Sequence, residues 1–136
     1  MHFFFDVSIP ANTPETAPNV QVLAMTYGEI RHVSIAIPVG HQALAHLQLL
    51  YHSFQVYPLS QGQDYHGDNS QIEFDDQFAL DEAPYEINAV GWNTDTVYPH
   101  SFLVGIEVEL PDGMTISASA KTLADLKSMI GSSIGG

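Results

Sequence analysis

The strongest pattern in the chain is an alternation of apolar and polar side chains within residues 85–110. Apolar residues recur at every second position near its end: Phe102, Val104, Ile106, Val108 and Leu110. A period of two is typical of a β-strand with one buried face. Val90 and Trp92 lie in phase on the preceding stretch, and the polar loop 93–96 separates the two stretches. We therefore predict a hairpin whose apolar face is covered by a second layer.

Shorter extended runs fill the rest of the chain, and proline, glycine and polar loops separate them. Strands are predicted over 3–9, 20–27 and 29–37, and a short strand over 71–74 leads into an acidic connection, 75–84. Residues 45–58 are interpreted as a tight hairpin that turns at His52 and Ser53, because histidine tolerates a positive φ better than most residues. A helix is the alternative there, since Leu44, Leu47 and Leu50 repeat at helical spacing.

Eight or nine short strands, with turn signals about every ten residues, are typical of an antiparallel β-sandwich. We expect one all-β domain over 1–121, jelly-roll-like on strand number, with an immunoglobulin-like sandwich as the alternative. A strand of small residues over 114–120 would complete it. Thr122 is placed to cap a short helix within 122–136, and the last residues predict a flexible tail.

Charge restricts the partners. Sixteen acidic residues face three basic ones in a chain of 136 residues with a formal net charge of −13, and no Lys or Arg lies between Arg31 and Lys121. Binding to nucleic acid and to anionic membranes depends on neutralising phosphates, so both are excluded as partners. The acids predict either a solvated surface that keeps copies apart or a partner with a positive surface.

The sequence also bears on location. It has no cysteine, which excludes disulfides and thiolate metal sites. Its first residues, MHFFFDVSIP, lack the basic and long apolar segments of a secretory signal. No apolar run reaches the roughly 18 residues of a membrane span. We therefore expect synthesis in the cytoplasm and no association with a membrane.

The spacing of the polar residues does not predict an enzyme. A cupin would need two histidines separated by one residue, whereas His41 and His46 are five apart and would point to opposite faces of a strand. Histidines scattered over the surface and interfaces are the expectation, with neither a transition metal nor another cofactor. There is no Gly-x-Ser-x-Gly elbow and no phosphate-binding loop followed by Lys. His100 and Ser101 are adjacent on a strand, so they would point apart.

Ligand binding at loops 60–69 and 93–100 is the alternative function. Five acidic residues are the candidate ligands for calcium: Asp64, Asp68, Glu73, Asp75 and Asp76. They do not follow EF-hand spacing, and a solvated acidic loop is the competing interpretation. Four rings are the candidates for contact with a carbohydrate: Tyr65, His66, Trp92 and Tyr98. Trp92 also has the interpretation of a core residue, because it shares the phase of Val90.

Three stretches carry a resemblance to known proteins: FFFDVSIPANT, PVGHQALAHLQLLYHSFQVYP and APYEINAVGWNTDTVYPHSFLVGIEVEL. In these stretches the chain resembles small β-sandwich accessory proteins of tailed-phage virions. The resemblance implies a non-enzymatic protein of the virion, made in the host cytoplasm, that decorates or cements the capsid or belongs to the neck, tail or fibre. It implies a homo-oligomer, such as a trimer, whose partners are the major capsid protein or neck and tail proteins.

The resemblance also implies that segments near the two ends of the chain pack on other chains. The candidate interface residues are apolar: Phe3, Phe4, Phe5, Leu123, Leu126 and Ile130. An ordinary first strand is the alternative interpretation of the N-terminal segment, and a frayed terminus is that of the C-terminal one.

Overall fold

The structure, a computed structural model, describes residues 1–110, and its regular elements are all strands. They are β1 His2–Ile9, β2 Asn19–Ala24, β3 Gly28–Ile37, β4 Ala45–Tyr51, β5 Phe54–Tyr57, β6 Ser70–Leu80, β7 Glu86–Asn93 and β8 His100–Glu109. Among these residues no helix is long and apolar enough to cross a membrane. The strand predicted over 114–120, the helix capped by Thr122 and the candidates Leu123, Leu126 and Ile130 lie outside the described residues.

The eight strands form two four-stranded antiparallel sheets. Sheet A has the order β1-β8-β3-β6, and sheet B has the order β2-β7-β4-β5. The apolar faces of both sheets contribute to one buried cluster, which confirms the prediction of an antiparallel β-sandwich. Apart from the pair β4 and β5, each strand pairs with strands distant in sequence.

The hairpin predicted over 45–58 is confirmed. β4 pairs with β5 antiparallel, and its two turn residues have positive φ angles, 51° at His52 and 69° at Ser53. Positive φ at both central residues is the requirement of the type I′ turn, whose twist matches that of the flanking strands. The helix alternative is wrong, because Leu47 and Leu49 alternate into the core as strand residues do.

The hairpin predicted over 85–110 is wrong. β7 pairs with β2 and β4 in sheet B, whereas β8 pairs with β1 and β3 in sheet A, so the loop 94–99 crosses between the two layers. A hairpin and a crossing between sheets both give two alternating strands separated by a polar loop, so the sequence pattern does not distinguish them. The inward residues of β7 include Ile87 and Ala89. Val90 and Trp92, which have the opposite parity, lie on the outer face of sheet B.

Strand β6 is longer than predicted, because it runs from Ser70 to Leu80 through part of the segment interpreted as an acidic connection. Its apolar residues Phe74 and Phe78 pack against the core, and Glu73 and Asp75 point outward. β6 is an edge strand of sheet A. Solvated charges are common on the outer face of an edge strand, where they oppose pairing with another chain.

The core lies between the sheets and is built from the inward residues of both. The inward face of β8 is fully buried, as its alternation predicted: Phe102, Val104, Ile106 and Val108. The two layers approach closely where Ile9 of β1 faces Gly91 of β7. A Cβ at Gly91 would meet the Cδ1 atom of Ile9, with its Cγ1 atom at 2.9 Å.

We predict that Gly91→Ala lowers the free energy of unfolding by about 1–3 kcal/mol, because the added methyl group overpacks this contact. Ile9→Val removes the Cδ1 atom and alone costs about 0.5–1.5 kcal/mol. The cost of the double variant should be smaller than the sum of the two single costs by at least about 0.5 kcal/mol, since the deleted Cδ1 atom makes room for the added methyl group. Urea unfolding of the four chains measures the cycle, and strictly additive costs would contradict the approach of β1 to β7.

Candidate functional site

The outer face of sheet A presents side chains in rows that run across its strands. One row is an alternation of histidines and acids: His2, Glu107, His32 and Asp75. His32 Nδ1 lies 2.7 Å from Asp75 Oδ1, and its Nε2 lies 3.1 Å from Glu73 Oε1. Hydrogen bonds to Asp75 and then to Glu73 raise the pKa of His32. Protonation of His32 therefore reduces the net negative charge of this face.

An apolar patch lies beside that row. We call it the Phe4–Leu103 patch, and it comprises Phe4, Ser34, Ala36, Leu103 and Gly105, which line a shallow depression of about 500 Å³. Phe4 is 77% exposed and Leu103 is 50% exposed. The Phe4 ring lies over Gly105, where an added Cβ would come within 3.2 Å of the ring. The small residues between them thus leave Phe4 and Leu103 exposed at the edges of this depression.

The three phenylalanines proposed as interface residues divide between two environments. Phe3 and Phe5 stack on each other, with ring centroids 6.4 Å apart, and pack against the core. Phe4 points to the outer face, where His2 stacks on it at 5.8 Å. Of the three, Phe4 is therefore the residue placed to meet a partner.

A second histidine group lies at the end of the sandwich. His41 Nε2 donates to the carbonyl oxygen of Ser101 at 2.8 Å, and its ring lies 4.7 Å from that of His100. His100 Nε2 donates to Asp95 Oδ2 at 2.9 Å. Burial lowers the pKa of His41, and its Nδ1 atom is buried without a hydrogen-bond partner among the described residues. Hydrogen bonds from Val97 N–H and then His100 lower the pKa of Asp95. His100 and Ser101 point apart, as predicted, because Ser101 faces outward.

A third group joins β4 to the loop 60–69. His46 Nδ1 and His66 Nδ1 both lie against Asp64 Oδ1, at 2.6 and 2.7 Å. The indole of Trp92 stacks on the His46 ring at 5.3 Å with an interplanar angle of 8°. One possible ligand atom from each of His46, Asp64 and His66 lies within 4.8 Å of the others. This group is the one among the described residues whose side chains could hold a metal ion.

The acidic residues proposed as calcium ligands are dispersed: Asp64, Asp68, Glu73, Asp75 and Asp76. Asp64 contacts two histidines. Asp68 accepts from two backbone N–H groups, at 2.7 and 3.2 Å, which lowers its pKa. Glu73 and Asp75 flank a histidine, and Asp76 accepts from a tyrosine hydroxyl at 2.6 Å. Among the described residues, Asp64 is therefore the one of the five that belongs to a group of three possible metal ligands, and its two companions there are imidazoles.

The rings proposed as carbohydrate contacts are equally separated. Trp92 is 6% exposed beneath His46, whereas Tyr98 is 65% exposed. Tyr65 pairs through its backbone with Leu47 and packs partly against the core. His66 is half exposed and belongs to the group with Asp64. Trp92 is therefore buried, as one of its two interpretations predicted. The side chain that covers it is His46, on the outer face of sheet B.

No family model matches the chain, and no curated protein matches it.

Sequence reasoning missed the group of His46, Asp64 and His66 because it compared histidines within one strand. The partners of His46 come from a loop 18 and 20 residues further along. The signal was the alternation Asp64-x-His66, since residues two apart in an extended segment share one face. That alternation indicates a shared face, but it does not say which strand the face meets.

The His41 group generates a prediction about pH. In the unfolded chain His41 takes up a proton near its ordinary pKa of about 6.5, whereas burial keeps it neutral to lower pH in the fold. The unfolded state then binds more protons, so the free energy of unfolding falls as pH drops below about 6.5, by at most about 1.4 kcal/mol per unit. His41→Gln, which keeps a donor for Ser101, should reduce this loss between about pH 7.5 and 5.5.

His2→Gln is the matched control, since His2 is exposed on the outer face of sheet A. Urea unfolding at the two pH values should give equal losses for this variant and the natural chain. An equal loss in His41→Gln would contradict the assignment of the effect to His41.

Proposed function

We propose that the protein is a non-enzymatic structural component of a virus particle. In this proposal it acts as a homo-oligomer that decorates or cements the capsid, or belongs to the neck or tail, and its partners are other virion proteins. The observation that carries the proposal is the Phe4–Leu103 patch, because exposed apolar patches are typical of protein–protein contacts. The resemblance noted in the sequence adds the virion as the setting.

The strand order supports a jelly roll as the finer fold type. β1, β8, β3 and β6 form one sheet and β2, β7, β4 and β5 form the other. Eight antiparallel strands in two such sheets are the architecture of jelly rolls, which occur in viral capsid proteins and in lectins. By analogy of fold, this architecture favours both an assembly role and a binding role.

The surroundings of the patch support a partner of opposite charge. Asp6 lies directly across from Leu103, and Glu107 lies two residues along the same strand from Gly105. In a two-fold contact through this patch, the acids of one copy would approach those of the other, which is unfavourable. A partner with an apolar centre and a basic rim would instead be attracted.

We predict that Phe4→Ser with Leu103→Ser abolishes attachment to the particle. The test mixes the purified chain with particles grown from a genome in which its gene is disrupted, and then sediments them. The natural chain should sediment with the particles, and raising the salt concentration should weaken that attachment because the rim is charged. The double variant should stay in the supernatant while keeping its fold.

Val20→Ser with Val22→Ser is the matched control, because these valines are 57% and 52% exposed on the outer face of sheet B. This control should sediment like the natural chain. Sedimentation equilibrium of the free chain measures its oligomeric state separately, and the proposal predicts a homo-oligomer. A natural chain that fails to attach, or a patch variant that still attaches, would contradict the proposal.

The second candidate function is a carbohydrate-binding module, and an aromatic cleft between β5 and β6 favours it. The cleft has a volume of about 520 Å³, and its lining includes Phe54, Tyr57, Tyr65, Phe74 and Asp76. The Tyr57 hydroxyl donates to Asp76 Oδ2 at 2.6 Å, and burial raises the pKa of Tyr57. Aromatic faces beside a carboxylate are a surface suited to a sugar ring.

This candidate predicts that a glycan array identifies a ligand and that Phe54→Ser weakens its binding about tenfold, because Phe54 is the exposed ring at the mouth. Phe4→Ser removes another exposed ring, from the outer face of sheet A, and should leave binding unchanged. An array with no bound glycan, or an equal loss in both variants, would remove the candidate.

A further inference from the structure

The group of His46, Asp64 and His66 follows from one backbone pairing. Leu47 and Tyr65 form an antiparallel bridge with hydrogen bonds of 2.8 and 3.0 Å in the two directions. Antiparallel pairing of these two residues puts residue 46 opposite residue 66, with their side chains on one face. Asp64 lies two positions from His66, so its side chain points to that same face. The loop therefore pairs with β4 through this isolated bridge, directly beside the histidine.

The donors are held by groups outside the cluster. The indole of Trp92 lies against the His46 ring and fixes its orientation. Next to Asp64, the carbonyl oxygen of Gln63 accepts from Gln48 Nε2 and from Gln55 Nε2, each at 2.9 Å. The side chains of His46 and Asp64 are 21% and 16% exposed. Two of the three donors are thus largely shielded, and the backbone on both sides of Asp64 is anchored.

We propose that His46, Asp64 and His66 bind one divalent transition-metal ion, with Zn²⁺ as the representative of the class. Two imidazole nitrogens and one carboxylate oxygen are a donor set that suits zinc, nickel and copper, whereas calcium takes oxygen ligands. No part of this inference depends on the virion role.

The distances are compatible with such an ion after a small movement. Zinc binds nitrogen and oxygen at about 2.0–2.2 Å, so neighbouring ligands of a tetrahedral ion lie about 3.4 Å apart. The present contacts of 2.6 and 2.7 Å need to open by about 0.7 Å. An ionised Asp64 can only accept, so each Nδ1 now carries the ring proton. On binding through Nδ1, each neutral ring would carry its proton on Nε2.

The fourth position of the ion faces solvent, because the His66 side chain is 49% exposed. Three protein ligands with one open position allow water or a group from a partner to complete the coordination. The ion would also cross-link the loop 60–69 to β4. An ion that binds the folded chain and not the unfolded one stabilises the fold, so the melting temperature should rise with Zn²⁺.

Isothermal titration calorimetry of the full chain, without a histidine tag, with Zn²⁺ at about pH 7.5 tests the proposal, since imidazole is then largely neutral. One Zn²⁺ per chain is the expected stoichiometry. Trp92, the one tryptophan of the sequence, supplies a local readout. Ni²⁺ bound beside His46 should quench its fluorescence, and added Zn²⁺ should restore that fluorescence by competition.

The decisive variants are His66→Asn and Asp64→Asn. Each removes a proposed donor without disturbing the stack of Trp92 on His46, and each should weaken binding at least about tenfold. His32→Asn is the matched control, because it removes a histidine that two carboxylates flank elsewhere. This control should keep the affinity of the natural chain within about twofold.

Three results would overturn the proposal. These are no uptake of Zn²⁺ by the natural chain, unchanged affinity in His66→Asn and Asp64→Asn, or equal weakening in His32→Asn. Circular dichroism of each variant confirms that a lost signal comes from the site and not from unfolding.

Discussion

The burial of two apolar faces against each other is the interaction on which the rest of the structure depends. Each strand of the two sheets turns alternate residues inward, and the contact of Ile9 with Gly91 brings the layers close together. Because most inward positions are apolar, most polar and charged residues lie on the outer faces, the edges and the loops. The Phe4–Leu103 patch and the group of His46, Asp64 and His66 therefore lie outside the core, on surfaces that the core supports.

Charge determines what those surfaces can meet. Within residues 1–110 the single Lys or Arg is Arg31, which pairs with Glu29 at 2.7 Å and Glu109 at 3.6 Å. Most other acidic side chains in this part of the chain contact histidines, backbone N–H groups or solvent. The outer face of sheet A carries several of these acids, among them Asp6, Asp75 and Glu107. On that face a basic partner or a bound cation would balance the negative charge, whereas a second copy of the same face would add to it.

The sequence predicted the parts of the fold that depend on local alternation. The inward residues of β8, such as Phe102 and Ile106, and the turn at His52 follow from period and from backbone preference. The pairing of β7 and β8 could not be predicted, because a hairpin and a crossing between sheets share one pattern of side chains. The predicted strand at β6 was too short, because the acidic residues in 75–84 suggested a loop. An edge strand tolerates such residues on its outer face.

For the candidate sites too, local sequence pattern does not predict which residues from different elements meet. Phe4 was among the interface candidates, but its exposure depends on the strands that surround it. The meeting of His46 with His66 depends on the bridge between Leu47 and Tyr65, a contact across 18 residues that no local period encodes. Side chains on one strand can be paired by parity, whereas side chains from a strand and a loop are brought together by tertiary structure.

The most direct test of the account is a cryo-electron-microscopy reconstruction of the particle with this chain bound. The account predicts that the outer face of sheet A, centred on Phe4 and Leu103, is buried against a basic surface of another particle protein, while the outer face of sheet B around Val20 and Val22 remains in solvent. A particle that lacks the chain, or one in which sheet A faces solvent, would contradict it.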